Sequence, residues 1–322
     1  MTWLVTGGAG YIGSHVVRKL VQASMDVVVF DDFSTGVRSF IPDGVPLLEG
    51  TLLETQLVEK ALREHSIEGV IHIAGFKFAG ISVEKPIHAY EQNVTAMMSL
   101  LAAMDTVGVD KIVFSSSSSV YGNAASGLVE EHYPFNPTSP YGESKVIGEW
   151  LLRNQATARG LKHTSLRYFN VVGSDVPELP DVSPYNLFSM VFAGLERGEA
   201  PTIFGDDYDT PDGTCIRDYI HVGDLAGAHV AAARALSEGR PVKAAYNLGS
   251  GVGTSVAEMM SAIARVTQRD FTPIRGPRRA GDPARVVASG DLAAKDLGWV
   301  MTHSLEDMIA SAWEARASLA NL

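Results

Sequence analysis

Three glycines at a spacing of three, Gly7, Gly10 and Gly13, stand between a short β-rich run, Thr2-Trp3-Leu4-Val5-Thr6, and an amphipathic stretch that continues to Leu20. Few folds accept that arrangement. A glycine at 7 permits a tight turn, one at 10 lets a pyrophosphate approach the backbone, and one at 13 lets helix and strand pack closely. The N-terminus of the helix then offers free N–H groups and positive potential to a diphosphate. Glycine spacing by itself says little; its place between strand and helix makes it informative. The next β-rich run, Val27-Val28-Val29-Phe30, ends in Asp31-Asp32. A carboxylate about twenty residues after such glycines accepts from the adenosine ribose and repels an added 2′-phosphate, which favours NAD over NADP.

The rest of the chain supports an α/β protein. Val70-Ile71-His72-Ile73 and Lys111-Ile112-Val113-Phe114 are further short β-rich runs separated by helical patterns, which predicts βαβ units and a Rossmann-like doubly wound parallel sheet. Val94, Met97, Met98, Leu101 and Met104 recur at helical spacing and are read as a packing face. After residue 170 the texture changes: Pro177, Pro180, Pro184, Gly205, Pro211 and Gly213 crowd together. Residues 1–170, with segments near 219–249 returning to them, are expected to form a nucleotide-binding domain. Residues 171–218 and 250–322 are expected to form a smaller, mixed C-terminal substrate lobe.

Charge and cysteine content exclude several classes. The 322-residue chain carries a formal net charge of −11 with no basic stripe, so nucleic acid and anionic membranes are poor partners. The single Cys215 cannot form an internal disulfide and reads as a small core residue, in keeping with a reducing compartment. The sequence shows no signal peptide and no membrane-length apolar run, so a cytoplasmic location is expected. No metal is called for.

Chemistry enters with Tyr141-Gly142-Glu143-Ser144-Lys145. Four-residue spacing puts Tyr141 and Lys145 on one helix face, and Pro140 suits the first turn. A phenol ionises near pH 10; a neighbouring ammonium and a positive nicotinamide ring both favour phenolate, which would make Tyr141 a base near neutrality. Tyr-x-x-x-Lys alone is common on helices. Here it follows the serine run Ser115 to Ser119, which leaves the end of a predicted strand, where parallel sheets bind ligands.

In that order these segments resemble the extended short-chain dehydrogenase/reductase superfamily and, within it, the UDP-galactose 4-epimerases. The resemblance covers nearly the whole chain. It extends through Leu166-Arg167-Tyr168-Phe169-Asn170, Arg217-Asp218-Tyr219-Ile220-His221-Val222, Tyr246-Asn247-Leu248-Gly249, and Arg278-Arg279 with Gly281-Asp282. The later segments are the more diagnostic of sugar-nucleotide enzymes. The resemblance implies Tyr141 as general base, Lys145 lowering its pKa and bonding the nicotinamide ribose, and Ser117 on the sugar O4. It implies cofactor contacts from Gly7, Gly10, Tyr11, Ile12, Gly13, Asp31, Asp32, Leu52, Ala74, Gly75, Lys77, Gln92, Ser115, Tyr141, Lys145 and Tyr168. The UDP-sugar falls to Lys77, Ser117, Tyr141, Asn170, Asn186, Leu187, Phe204, Arg217, Arg279 and Asp282. Guanidinium forks suit a diphosphate.

Two positions depart from the family pattern. Thr51 stands where an acidic residue is common, which alters an adenine contact, and Gln92 replaces an Asn beside Asn93. The implied reaction is 4-epimerisation of UDP-galactose and UDP-glucose through a 4-keto sugar, with NAD recycled. A nucleotide-sugar 4,6-dehydratase is disfavoured, because those enzymes carry Asp-Glu where this chain has Ser118-Ser119. An NAD-sensing non-enzyme is disfavoured by the retained Tyr/Lys pair. Another UDP-sugar, such as UDP-GlcNAc, stays open, since the resemblance places Val286 (or, one residue off, Arg285) where a tyrosine can crowd the sugar 2-substituent. A homodimer is expected through the helices from Gln92 and Tyr141, which carry Met97, Met98, Leu101, Ile147, Trp150 and Leu151.

Overall fold

The computed structural model describes residues 1–122, 128–279 and 282–321. Seven parallel strands form the main sheet: β1 (Thr2–Thr6), β2 (Asp26–Asp31), β3 (Leu47–Glu49), β4 (Ile67–His72), β5 (Lys111–Ser115), β6 (Lys162–Tyr168) and β7 (Ala245–Leu248). Their spatial order is 3-2-1-4-5-6-7. The order reverses between β1 and β4, where Val5 pairs with Val29 on one side and Ile71 on the other. In open α/β sheets the crevice beyond such a reversal is where ligands bind.

Alternation along each strand sends side chains to two cores. Trp3 and Val5 of β1 and Val27 and Val29 of β2 face one layer; Leu4, Val28 and Phe30 face the other. The first layer contains α1 (Tyr11–Gln22) and α5 (Val222–Ser237), packed on each other. The second contains α2 (Thr55–Glu64), α3 (Ala96–Val107) and the inner face of α4 (Pro140–Arg159). Both faces are covered, which is why the strands read as near-continuous apolar runs. Of the methionine stripe, Met97, Leu101 and Met104 enter the core, whereas Met98 is 54% exposed, because one residue along a helix turns about 100° away from its neighbour.

Beyond the main sheet, Phe188, Phe192, Ile203, Met259, Ile263, Met308 and Ile309 build a separate apolar cluster. Its helices start cleanly: Ser255 with Glu258, and Ser304 with Asp307, form reciprocal capping boxes of the kind that satisfies orphan helix N–H groups. A four-stranded sheet joins Thr254–Ser255, Ile216–Arg217, Arg285–Ala288 and Leu128–Val129 in that order. Residues 128–129 thus leave the first half of the chain to pair with its last third. No helix among the described residues is long and apolar enough to cross a membrane.

Candidate active site

Each glycine of the turn answers a different demand. Gly7 sits at φ 72°, and a Cβ there would lie 2.7 Å from the Ala74 amide nitrogen. A Cβ at Gly13 would lie 2.0 Å from the Gly7 carbonyl oxygen, so helix and turn are in direct backbone contact. Gly10 differs: its Cβ would meet only that carbonyl, at 3.3 Å, and otherwise enters open cleft. Gly10 is also the N-cap of α1, with no side-chain cap and no acidic residue in the first turn. The first N–H groups of the helix are therefore free for a diphosphate.

The cleft encloses about 430 Å³ and is lined by every predicted cofactor residue except Ser115. Asp31 does more than expected. Its carboxylate accepts from the Ala9 and Phe33 amides, both at 2.9 Å, so it ties the glycine turn to the end of β2 before any ribose arrives. Burial raises its pKa, partly offset by those two amides. Asp32 accepts from the Ser34 amide and hydroxyl. Thr51, the departure noted above, lines the cleft with Leu52.

The Tyr141–Lys145 helix is set by its first turn. The Ser139 hydroxyl accepts from the Gly142 amide at 3.2 Å and Pro140 opens the helix, so Tyr141 projects from an unfrayed end. Its own amide donates to the Ser82 hydroxyl at 3.1 Å. Burial raises the Tyr141 phenol, and the adjacent Ser117 hydroxyl draws it down. Lys145 lies on the same side, 5.8 Å from the Tyr141 ring centre, and donates to the Ser115 carbonyl at 2.9 Å. Burial lowers Lys145 to about 8. The expected lowering of the Tyr141 pKa by Lys145 is not what dominates here; desolvation is.

The three serines after β5 part company. The Ser115 hydroxyl points away from the cleft onto His229 Nε2, at 2.7 Å, and only its carbonyl serves Lys145. Ser116 donates to Glu149, which pairs with Arg167 in a buried bridge at 2.6 Å. The Ser117 hydroxyl donates to the Ser119 hydroxyl and accepts from the Ser119 amide, both at 3.1 Å, and is the serine that meets Tyr141. Asn93 is the residue that sequence reasoning passed over. Its Oδ1 accepts from the Phe76 amide at 2.6 Å, and its Nδ2 donates to the Phe76 carbonyl at 3.0 Å and to the Ser144 hydroxyl at 2.8 Å. Ser144 in turn donates to the Tyr141 carbonyl at 2.7 Å. Asn93 thus fastens the Lys77 loop to the catalytic helix, from a π-helical segment, Glu91–Thr95; such segments recur at functional sites.

Of the predicted UDP-sugar residues, four converge. Arg217 donates to the Pro283 carbonyl at 2.8 Å and stands 3.4 Å from the Asp282 carboxylate. The Arg279 guanidinium lies 4.1 Å above the Phe204 ring centre, a cation–π geometry. Arg278 is spent elsewhere, on Asp207 and the Tyr208 ring. Asn170 donates to the Asp218 carbonyl at 2.8 Å. Asn186 begins the helix Leu187–Glu196 and bonds Asp181, while Leu187 packs on the separate apolar cluster of Phe188 and Met259. No hydrogen bond joins these last three to the arginine group among the described residues. Gly281 lies outside the described residues. Cys215 is buried beside Arg217, and burial raises its pKa, which suits a packing role and not a nucleophile.

Residues 3–249 match the NAD dependent epimerase/dehydratase family. The UDP-glucose 4-epimerase of Azospirillum brasilense is 42% identical over 318 residues, 97% of this chain and 91% of that relative. Among solved structures, a UDP-glucose 4-epimerase superposes with a TM-score of 0.95 at 40% identity, covering 100% of this chain and 99% of the other. The UDP-glucose 4-epimerase of Brucella ovis in complex with NAD gives 0.93 at 38%, with 98% of each chain covered. With the glycine turn, the cleft and the Tyr141–Lys145 helix in place, this chain belongs to the NAD dependent epimerase/dehydratase family.

Proposed function

We propose that this protein interconverts UDP-galactose and UDP-glucose, holding NAD throughout. The observation that carries the reading is the presence of two separate features in one chain: a cleft lined by Tyr141 and Lys145, with Ser117 against Tyr141, and a distinct group of Arg217, Arg279, Asp282 and Phe204 on the second half of the chain. The first suits redox chemistry at a sugar hydroxyl; the second suits a uridine diphosphate.

When bound, NAD supplies the acceptor, and then the donor, of the hydride at sugar C4. Gly10 and the uncapped start of α1 would hold its diphosphate, and Asp31 and Asp32 would hold its ribose. Tyr141 takes the proton of the sugar 4-hydroxyl and later returns it, while Ser117 holds that oxygen. Lys145, fixed by the Ser115 carbonyl 5.8 Å from the Tyr141 ring centre, offers positive charge to a Tyr141 phenolate. For inversion the ketone must present its other face, so the hexose is held loosely and the binding energy sits on the nucleotide. Ser118 and Ser119 lack the proton-transfer capacity that elimination of water would need.

We further place the chain in the cytoplasm as a homodimer. Met98 (54% exposed) and Trp150 (43% exposed) on α3 and α4 are the outward apolar residues that a second copy would cover, whereas Met97 and Leu101 already belong to the core. Light scattering at micromolar concentration should return twice the chain mass. Purified protein, given a panel of UDP-sugars without added NAD, should equilibrate UDP-galactose with UDP-glucose; failure on both sugars would remove the assignment.

A further inference from the structure

The rings of Phe78 and Tyr185 meet edge to face, with centroids 5.0 Å apart and planes at 75°. Phe78 lines the cleft next to Lys77. Tyr185 belongs to the second half of the chain, directly before Asn186, and is 60% exposed. Nothing in a core requires this contact.

Both rings are mounted on fixed backbone. Phe78 precedes the helix Ala79–Glu84, whose Ser82 hydroxyl receives the Tyr141 amide; the ring therefore stands one turn from a direct contact with the catalytic helix. Phe76, held at both its amide and its carbonyl by Asn93, packs edge-on against Phe78 at 5.6 Å. On the other side, Asn186 starts a ten-residue helix. The half-buried Phe78 and the exposed Tyr185 are thus the part free to open between two anchored walls, beside the cleft that Lys77 and Tyr141 also line.

We propose that Phe78 and Tyr185 form a gate between the two halves of the protein, parting to admit the nucleotide sugar and closing to retain the 4-keto sugar. This rests on the epimerase reading above. In the first half-reaction, the C4–H bond breaks and its hydride passes to NAD, while the hydroxyl proton passes to Tyr141, leaving the ketone. The second half-reaction reverses both transfers on the other face. A ketone that escapes between them leaves the nicotinamide reduced and the protein stalled. A gate is needed because the hexose itself must be held loosely enough to turn.

The test is turnover of UDP-galactose by the NAD-loaded wild type and by Phe78→Ala, Tyr185→Ala and the double variant. Near-ultraviolet absorbance of reduced nicotinamide is followed beside product formation. Loss of either ring should raise the fraction of protein left reduced per turnover several-fold, the double variant should add little to either single one, and Tyr185→Phe should restore wild-type behaviour. Tyr185 is exposed, so Tyr185→Ala should keep the wild-type melting temperature and its bound NAD. If the alanine variants stay oxidised through as many turnovers as the wild type, the gate is overturned. A wild type that converts neither sugar overturns the epimerase reading instead, and the gate with it.

Discussion

Arg217 and Val286 are directly opposed in adjacent parallel strands, so their side chains leave the same face of that small sheet. Arg285 is paired with Ile216 and sends its guanidinium to the Val252 carbonyl at 2.9 Å. Val286, and not Arg285, therefore shares a side with Arg217. If the sugar binds on that face, the small Val286 side chain would leave room beside it. Slow conversion of UDP-GlcNAc is expected from the wild type, and its abolition in Val286→Tyr with UDP-galactose activity kept. Product chromatography on both substrates decides it; equal UDP-GlcNAc rates in the two proteins would remove Val286 from this role.

Arg217 itself should act on binding. Replacing it with alanine removes a charge-assisted contact worth on the order of 1.5–3 kcal/mol. Calorimetry with UDP should show a corresponding loss of affinity, and unchanged affinity would contradict the assignment.

Tyr141→Phe should leave UDP affinity intact and lower turnover by about 100- to 10,000-fold, the usual effect of losing a general base. Burial already raises the Tyr141 phenol, so the variant loses chemistry and gains no new unpaired charge. A variant with most of its kcat would exclude Tyr141 as the base.

Gly10→Ala and Gly13→Ala should fail in different ways. At Gly13 a methyl group would sit 2.0 Å from the Gly7 carbonyl oxygen, so the turn must move and the melting temperature should fall. At Gly10 the methyl group enters the cleft, so the protein should melt like the wild type without nucleotide but fail to retain NAD. Equal thermal stability for the two variants would contradict this division.

Acid should destabilise the fold through buried neutral histidines. Burial lowers His72 to about 3, and His15, His221 and His229 to about 4, from the ordinary histidine value of about 6.5. Between those values and 6.5 the unfolded chain binds more protons than the folded one, so stability rises with pH across that window and is lost as pH falls through it. Urea melts from neutral pH down to pH about 4 should show a steep loss, beginning as unfolded-state histidine titrates near 6.5. A flat profile would mean that these side chains are already charged in the fold.

Local spacing was enough for the parts of this protein that act through the backbone. Gly7, Gly10 and Gly13 between strand and helix dictate a phosphate-binding turn wherever the rest of the chain goes, and Tyr141 and Lys145 share a helix face because four residues make about one turn. The family resemblance singled out Ser117, but only the folded chain showed what occupies the two serines before it. Ser115 was taken by His229, 114 positions away, and Ser116 by Glu149, contacts set by the order of strands and not by any local pattern. The same holds for Asp31 on the Ala9 amide, Asn93 between Phe76 and Ser144, and Phe78 against Tyr185. A side chain's neighbours along the sequence fix its direction on a helix or strand. Its partner depends on which distant segment the packed sheet brings opposite, and no periodicity in the sequence encodes that.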